Sequence, residues 1–243
     1  MLLYLRYLSI VVAATTTLVT SFPVAEHYER YFPAGVKTTC KVGNFALTFD
    51  DGPFMYTNEL LDKLEEEDIK VTFFVNGHNF WDVPSMPEAQ DTIRRAYEAG
   101  HQIASHTYSH ANLSTLDMED VKREVQSLEE VLLPIIGKKP AFIRPPFGAV
   151  TDVNFNLLTG LGYTVVRWSV DSKGYETPNL ETEMALYKAQ VGPSNGIVGG
   201  IALEHDVYQQ TVEELIDFTI DYVKSQGYKF VTVAECFGID PYQ

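Results

Sequence analysis

The chain has 243 residues, 45% of them hydrophobic, enough to bury one substantial core and too few to demand a second domain. Acidic residues outnumber basic ones 33 to 18, giving a formal charge of −15. No basic run is present to track a phosphate backbone, which excludes nucleic acid as a partner and leaves the acidic balance as a solvated surface.

In chain order, residues 1–21 come first: Arg6, an apolar and threonine-rich stretch from residue 7 to 19, then Ser21 ahead of Pro23. This reads as a secretory signal peptide, too short and too threonine-rich for a membrane anchor. Residues 22–39 read as an N-terminal extension and 40–243 as a single folded, catalytic domain. No later stretch approaches the run of apolar residues a membrane helix needs, so no span is expected in the mature protein. Cys40 and Cys236 are the two cysteines. In an exported chain an even pair near the two ends reads as one disulfide, the alternative being two unrelated buried thiols.

From residue 45 short apolar runs alternate with amphipathic stretches. The run 45–49 is followed by a helical pattern over 57–68 with Leu60, Leu61 and Leu64 on one face; 71–75 by 86–99; and 102–105 by 118–136. The run 141–143 is followed by 153–160, 164–170 by 180–190, 200–203 by 212–225, and 230–233 closes the series. Gly100, Gly137, Gly162 and Gly227 fall where left-handed helix caps belong. Strand–helix alternation with short connections implies parallel strands, and about seven such units predict an α/β fold, a distorted (β/α) barrel, complete or incomplete. A doubly wound open sheet is the rival.

Active sites in such barrels gather at the C-terminal ends of the strands. There the sequence places Asp50 and Asp51 after the first run, His106 and His110 after the third, and Arg144 to Gly148 after the fourth. Asp171 follows the fifth run, and Glu204, His205 and Asp206 follow the sixth. Asp51, His106 and His110 supply one oxygen and two nitrogens, a set that suits zinc or a similar divalent ion with room for water. The imidazoles, four residues apart, would share a face if the segment enters a helical turn. Taken alone, either ring could equally be a hydrogen-bonded surface histidine. Thr107 stands where a His-Glu-x-x-His protease would carry its glutamate.

A metal-activated water needs a proton acceptor, and Asp50 fits as base beside Asp51 as ligand, although Asp-Asp-Gly-Pro is also good turn chemistry. Arg144 could hold a carboxylate ionised through charge-assisted hydrogen bonds, or form a plain structural ion pair. His205 is the natural second proton handler. His78 and His101 lie outside the pattern, His101 reading as structural, and His27 falls in the poorly patterned N-terminal region. Gly192-Pro-Ser194-Asn-Gly196 formally matches a serine-nucleophile elbow but follows a helix and precedes a strand, the wrong context. Asn112-Leu-Ser114 is a formal N-glycosylation sequon two residues from His110.

Four ordered motifs carry a resemblance. Thr48-Phe-Asp-Asp-Gly-Pro, His106-Thr-Tyr-Ser-His, Arg144-Pro-Pro-Phe-Gly and Leu203-Glu-His205 resemble those of the polysaccharide deacetylases, carbohydrate esterase family 4 or NodB homology domain, the chitin deacetylases of fungi above all. The likeness spans residues 40–237. It implies a metal-dependent N-deacetylase that converts chitin or chitooligosaccharides to chitosan and acetate, secreted to the exterior or cell wall, and monomeric. Acetylxylan and peptidoglycan are alternative substrates, and a secreted carbohydrate-binding protein without activity is the non-enzymatic alternative.

By the same resemblance Asp51, His106 and His110 bind Zn2+, with Co2+ or another divalent metal as substitute. Asp50 is the general base, paired with Arg144, and His205 the general acid. The Phe147 backbone N–H helps stabilise the oxyanion, and Leu203 lines the pocket for the acetyl methyl. One motif departs: where the family has Asp-x-x-Asp-Trp, this chain reads Asp171-Ser-Lys-Gly174-Tyr175. The missing second aspartate leaves Asp171 or Asp206 to orient His205, and Tyr175 to supply the aromatic wall.

Overall fold

The first strand, β1 (Asn44–Asp50), is almost wholly buried, and its side chains part by the two-residue period of a strand. Phe45, Leu47 and Phe49 pack outward in one cluster with Leu60, Leu61 and Leu64, whereas Ala46 faces inward with Phe74, Ala104, Phe142 and Ile201. Thr48 and Asp50 share the inward parity, so the strand delivers a carboxylate to the concave interior at its C-terminal end. The computed structural model describes residues 33–176, 178–192 and 198–243. The leader-like segment 1–21, residues 22–32 of the extension and most of the 192–196 elbow-like stretch lie outside the described residues.

The remaining strands are β2 (Thr72–Val75), β3 (Gln102–Ser105), β4 (Phe142–Ile143), β5 (Thr164–Val165), β6 (Val170–Asp171), β7 (Gly200–His205) and β8 (Lys229–Phe230). They pair in the order β5-β4-β3-β2-β1-β7-β6, with β8 beside the start of β1, and every pairing is parallel. Since β5 and β6 end the order without pairing to each other, the sheet curls into an incomplete barrel, as expected, and is not doubly wound. Register aligns the strand ends: Asp50 lies opposite Phe74 and His205, and Ser105 opposite Ile143.

The connecting helices are α1 (Thr57–Glu66), α2 (Pro87–Glu98), α3 (Met118–Ile136), α4 (Asp152–Gly160), α5 (Leu180–Val191), α6 (Ile216–Ser225), which a π-helical turn (Thr211–Leu215) precedes, and the short α7 (Val233–Phe237). Helix α3 has the bounds its pattern predicts because both ends are capped. Asp117 accepts a hydrogen bond from Asp120 N at 2.9 Å, and Gly137 takes the left-handed conformation that ends the helix.

Two strand expectations are corrected. The run 164–170 is two strands, because Val166 bridges to Lys37, Arg167 N donates to Lys37 O at 2.7 Å and Ser169 N donates to Ile201 O at 2.9 Å. The chain changes partner from β4 to β7 across those residues. The run 230–233 ends at Phe230, since Thr232 and Glu235 form a reciprocal cap that starts α7. Cys40 and Cys236 form a disulfide with Cα atoms 4.9 Å apart, in the inward cluster at the end of the barrel where β1 begins. Among the described residues no helix is long and apolar enough to cross a membrane.

Candidate active site and metal centre

Asp51, His106 and His110 converge: one ligand atom from each lies within 4.8 Å of the others. Asp51 Oδ1 is 3.1 Å from His110 Nε2 and 3.5 Å from His106 Nε2. The expected helical turn is not what brings the imidazoles together. Residues 106–110 are irregular, and left-handed backbone at Thr107 (φ 70°) and His110 (φ 56°) aims both rings inward, 5.1 Å apart. Asp51 is left-handed as well, with φ 76°, which turns it away from the parity of Asp50.

These residues fit a divalent cation. Asp51 Oδ1 is buried with no hydrogen-bond partner among the described residues. His106 Nδ1 lies 2.7 Å from the Arg144 carbonyl, which can only accept, so Nδ1 carries the proton and Nε2 faces Asp51 with a lone pair. With the Asp51 carboxyl ionised, two acceptors thus face each other, as the ligands of a cation do. Burial, aided by the charges of Asp50 and Asp206, pushes Asp51 up to about 8, and burial holds His106 and His110 below the ordinary histidine range. A bound cation would favour the carboxylate and the neutral imidazoles alike, reversing the first trend and matching the second.

Asp50 lies under this triad, its Oδ2 3.8 Å from His106 Nε2. Its other oxygen accepts from Arg144 Nη1 at 2.6 Å. Arg144 is wholly buried, donates also to Thr48 Oγ1 at 2.7 Å and to the Arg167 carbonyl at 3.1 Å, and lies 4.2 Å from the Phe74 ring centroid. Burial raises the Asp50 carboxyl, and the guanidinium charge opposes it. Phe147 has φ 60°, its ring 4.8 Å from that of His110, while the amides after it are engaged: Gly148 N donates to Pro145 O and Ala149 N to Pro146 O.

His205 ends β7 opposite Asp50. Burial lowers its imidazole to about 4, against the pull of the Asp50 charge. Neither carboxylate expected to orient it does so. Asp171 accepts from Trp168 Nε1, Tyr175 Oη and Lys173 N, and Asp206 accepts from Thr57 Oγ1 at 2.5 Å. Instead the His205 ring lies between two tyrosines, 5.4 Å from Tyr175 and 5.6 Å from Tyr208. Tyr175 is exposed beside His205, and Leu203 is buried on β7 opposite Thr48.

Three features of the site escape sequence reasoning. Asn76, Thr57 and Tyr208 are loop or helix-start residues whose partners lie 30 or more residues away or are set by ring packing. Gly52 has a specific cause: a Cβ there would run into the Asp206 carboxylate. Outside the site, His78 pairs with Asp82 on the surface, His101 is buried with its Nδ1 accepting from Val71 N, and Asn112 caps a turn through Ser114.

Residues 37–166 match the family model described as polysaccharide deacetylase. The chain is 40% identical over 220 residues to a chitin deacetylase of Pestalotiopsis sp, covering 90% of this chain and 72% of that one. It is 37% identical over 234 residues to the chitin deacetylase of Colletotrichum lindemuthianum, covering 94% of each. The solved structure of the chitin deacetylase from Colletotrichum lindemuthianum superposes with a TM-score of 0.82 at 38% identity, over 87% of this chain and 97% of that one.

Proposed function

The chain belongs to the polysaccharide deacetylase family, and from that premise we propose that it hydrolyses the N-acetyl groups of chitin or chitooligosaccharides to acetate and chitosan. The observation that carries this reading is the meeting of Asp51, His106 and His110 above a buried Asp50–Arg144 pair and beside His205, in a chain related to fungal chitin deacetylases.

Asp51 and the Nε2 atoms of His106 and His110 would hold a divalent cation, zinc or cobalt in its place. When bound, the cation supplies Lewis acidity that acidifies water and polarises a carbonyl. Asp50 accepts the proton of the attacking water. Its burial raises its appetite for that proton, and Arg144 keeps it ionised and aimed until the attack. The Phe147 N–H, presented by left-handed backbone beside His110, donates to the developing oxyanion. His205 protonates the departing sugar nitrogen. Burial leaves its ring neutral at rest, so it takes up from solvent the proton it delivers, as negative charge develops on the substrate beside it. Tyr175 and Leu203 wall the pocket, Leu203 facing the acetyl methyl.

The disulfide suits an oxidising compartment, which supports a secreted, extracellular or cell-wall location. All the named groups come from one chain, so a monomer suffices. Incubating the purified protein with chitotetraose tests the reading: acetate and free amine are expected in equal amounts, and release of neither from any acetylated chitooligosaccharide contradicts it.

A further inference from the structure

Asn76 follows β2, carries no chemistry in the mechanism above, and is 2% exposed. Its backbone N–H donates to the Gly52 carbonyl at 3.1 Å, and its side-chain Nδ2 donates to the carbonyls of His106 at 2.6 Å and Thr107 at 3.0 Å. Its Oδ1 accepts from Asn79 Nδ2 at 3.2 Å, which fixes which way round the amide lies. One residue therefore ties the loop that carries Asp51 to the loop that carries His106 and His110.

Both loops are strained. Among the described residues, six other than glycine have left-handed backbone, and Asp51, Thr107 and His110 are three of them, with Phe147 a fourth at the same site. Such conformations are costly for residues with a Cβ and persist only where the surroundings over-determine them. Near Asp51 and Thr107 the surroundings include Asn76, which bonds the residue after the first and the carbonyl of the second. We infer that Asn76 is a positioning residue that sets the spacing of Asp51 against His106 and His110, and so the affinity of the site for a divalent cation. An amide is required at this length, because two donors on one nitrogen meet two successive carbonyls while the oxygen accepts from Asn79. An aspartate there would set oxygen against oxygen, and an alanine would leave two buried carbonyls unpaired.

The inference rests on the reading that these three residues hold a cation, and the experiment separates the two. Metal-free wild-type protein, Asn76→Ala and Asn79→Ala are titrated with Zn2+ in competition with a chromophoric chelator, and the thermal midpoint of each is measured with and without Zn2+. Asn76→Ala is expected to bind zinc 10- to 100-fold more weakly, and the zinc-induced rise in its midpoint to shrink accordingly. Asn79→Ala, which removes a side chain whose hydrogen bond among the described residues goes to Asn76 and to neither loop, is expected to weaken zinc several-fold, and it keeps the test decisive if Asn76→Ala does not fold. Unchanged zinc affinity in the variant that folds, with a lower metal-free midpoint alone, makes Asn76 mere structural glue and overturns the inference. Failure of the wild-type protein to bind zinc, cobalt or any other divalent ion overturns the metal reading itself, and the inference with it.

Discussion

Asp50 and Asp51 are neighbours in sequence that face different surroundings. Strand parity sends Asp50 into the concave interior, where a wholly buried Arg144 waits, while left-handed backbone turns Asp51 toward two imidazoles. With Asp50 proposed as base and Asp51 as ligand, the expected consequences of replacing them separate too. Asp50→Asn should lower kcat by about 10²–10⁴ while leaving zinc stoichiometry intact, whereas Asp51→Asn should lose the zinc as well. Metal content measured beside turnover checks this, and loss of metal in both variants would contradict the division. Residues whose chemistry is in their side chains were legible as candidates, since carboxylates and imidazoles at strand ends are conspicuous. Asn76 was not: Val-Asn-Gly after a strand reads as a turn, and its bonds to His106 and Thr107 span about thirty residues of chain. Of the aromatic neighbours of His205, Tyr175 was singled out in the sequence, as an expected substrate wall, and Tyr208 was not.

At the scale of elements, periodicity located the helices well because each buries one face, and capped ends sharpened them, as at Asp117 and Gly137. It failed where partners change. In the run 164–170 a single strand reads through Arg167 and Ser169, where the chain in fact leaves β4 for β7, and a threonine that caps a helix looks like a strand residue. The 106–110 loop shows the same limit, since His106 and His110, four residues apart, would share a face only in a helical turn and the structure uses two left-handed bends. Between β2 and β3, His101 makes a pH-dependent contribution. Burial, with help from the charges of Lys70 and Arg95, lowers its imidazole from 6.5 to about 4. The unfolded chain takes up a proton near 6.5 that the folded form refuses, so this contribution is present above pH 6.5 and is lost as pH falls toward 4. By linkage it amounts to about 3 kcal/mol. Urea midpoints of wild-type protein and His101→Gln at pH 7 and 4.5 check it. The variant should lose less stability on acidification, and equal losses would contradict the assignment.

Over the whole molecule, the disulfide and the site occupy opposite ends of the barrel, about 20 Å apart along β1 at roughly 3.3 Å per residue. The bridge closes a 196-residue separation, and its removal should lower unfolding free energy by about 2–5 kcal/mol while sparing turnover under native conditions. Denaturant midpoints of Cys236→Ala, with its activity at 25 °C, test this, and an unchanged midpoint or a lost activity would contradict it. The global architecture, an incomplete barrel included, was legible because strand–helix alternation leaves few ways to cover a parallel sheet, and the place of the opening between β5 and β6 was not, because closure depends on pairings that sequence does not display. The measurement that bears most directly on the account is acetate release from a chitooligosaccharide ladder before chelation, after it, and after Zn2+ or Co2+ is restored. Release that stops with the chelator and returns with the metal is the predicted result. Release that continues undiminished from protein shown to be metal-free would contradict a cation held by Asp51, His106 and His110.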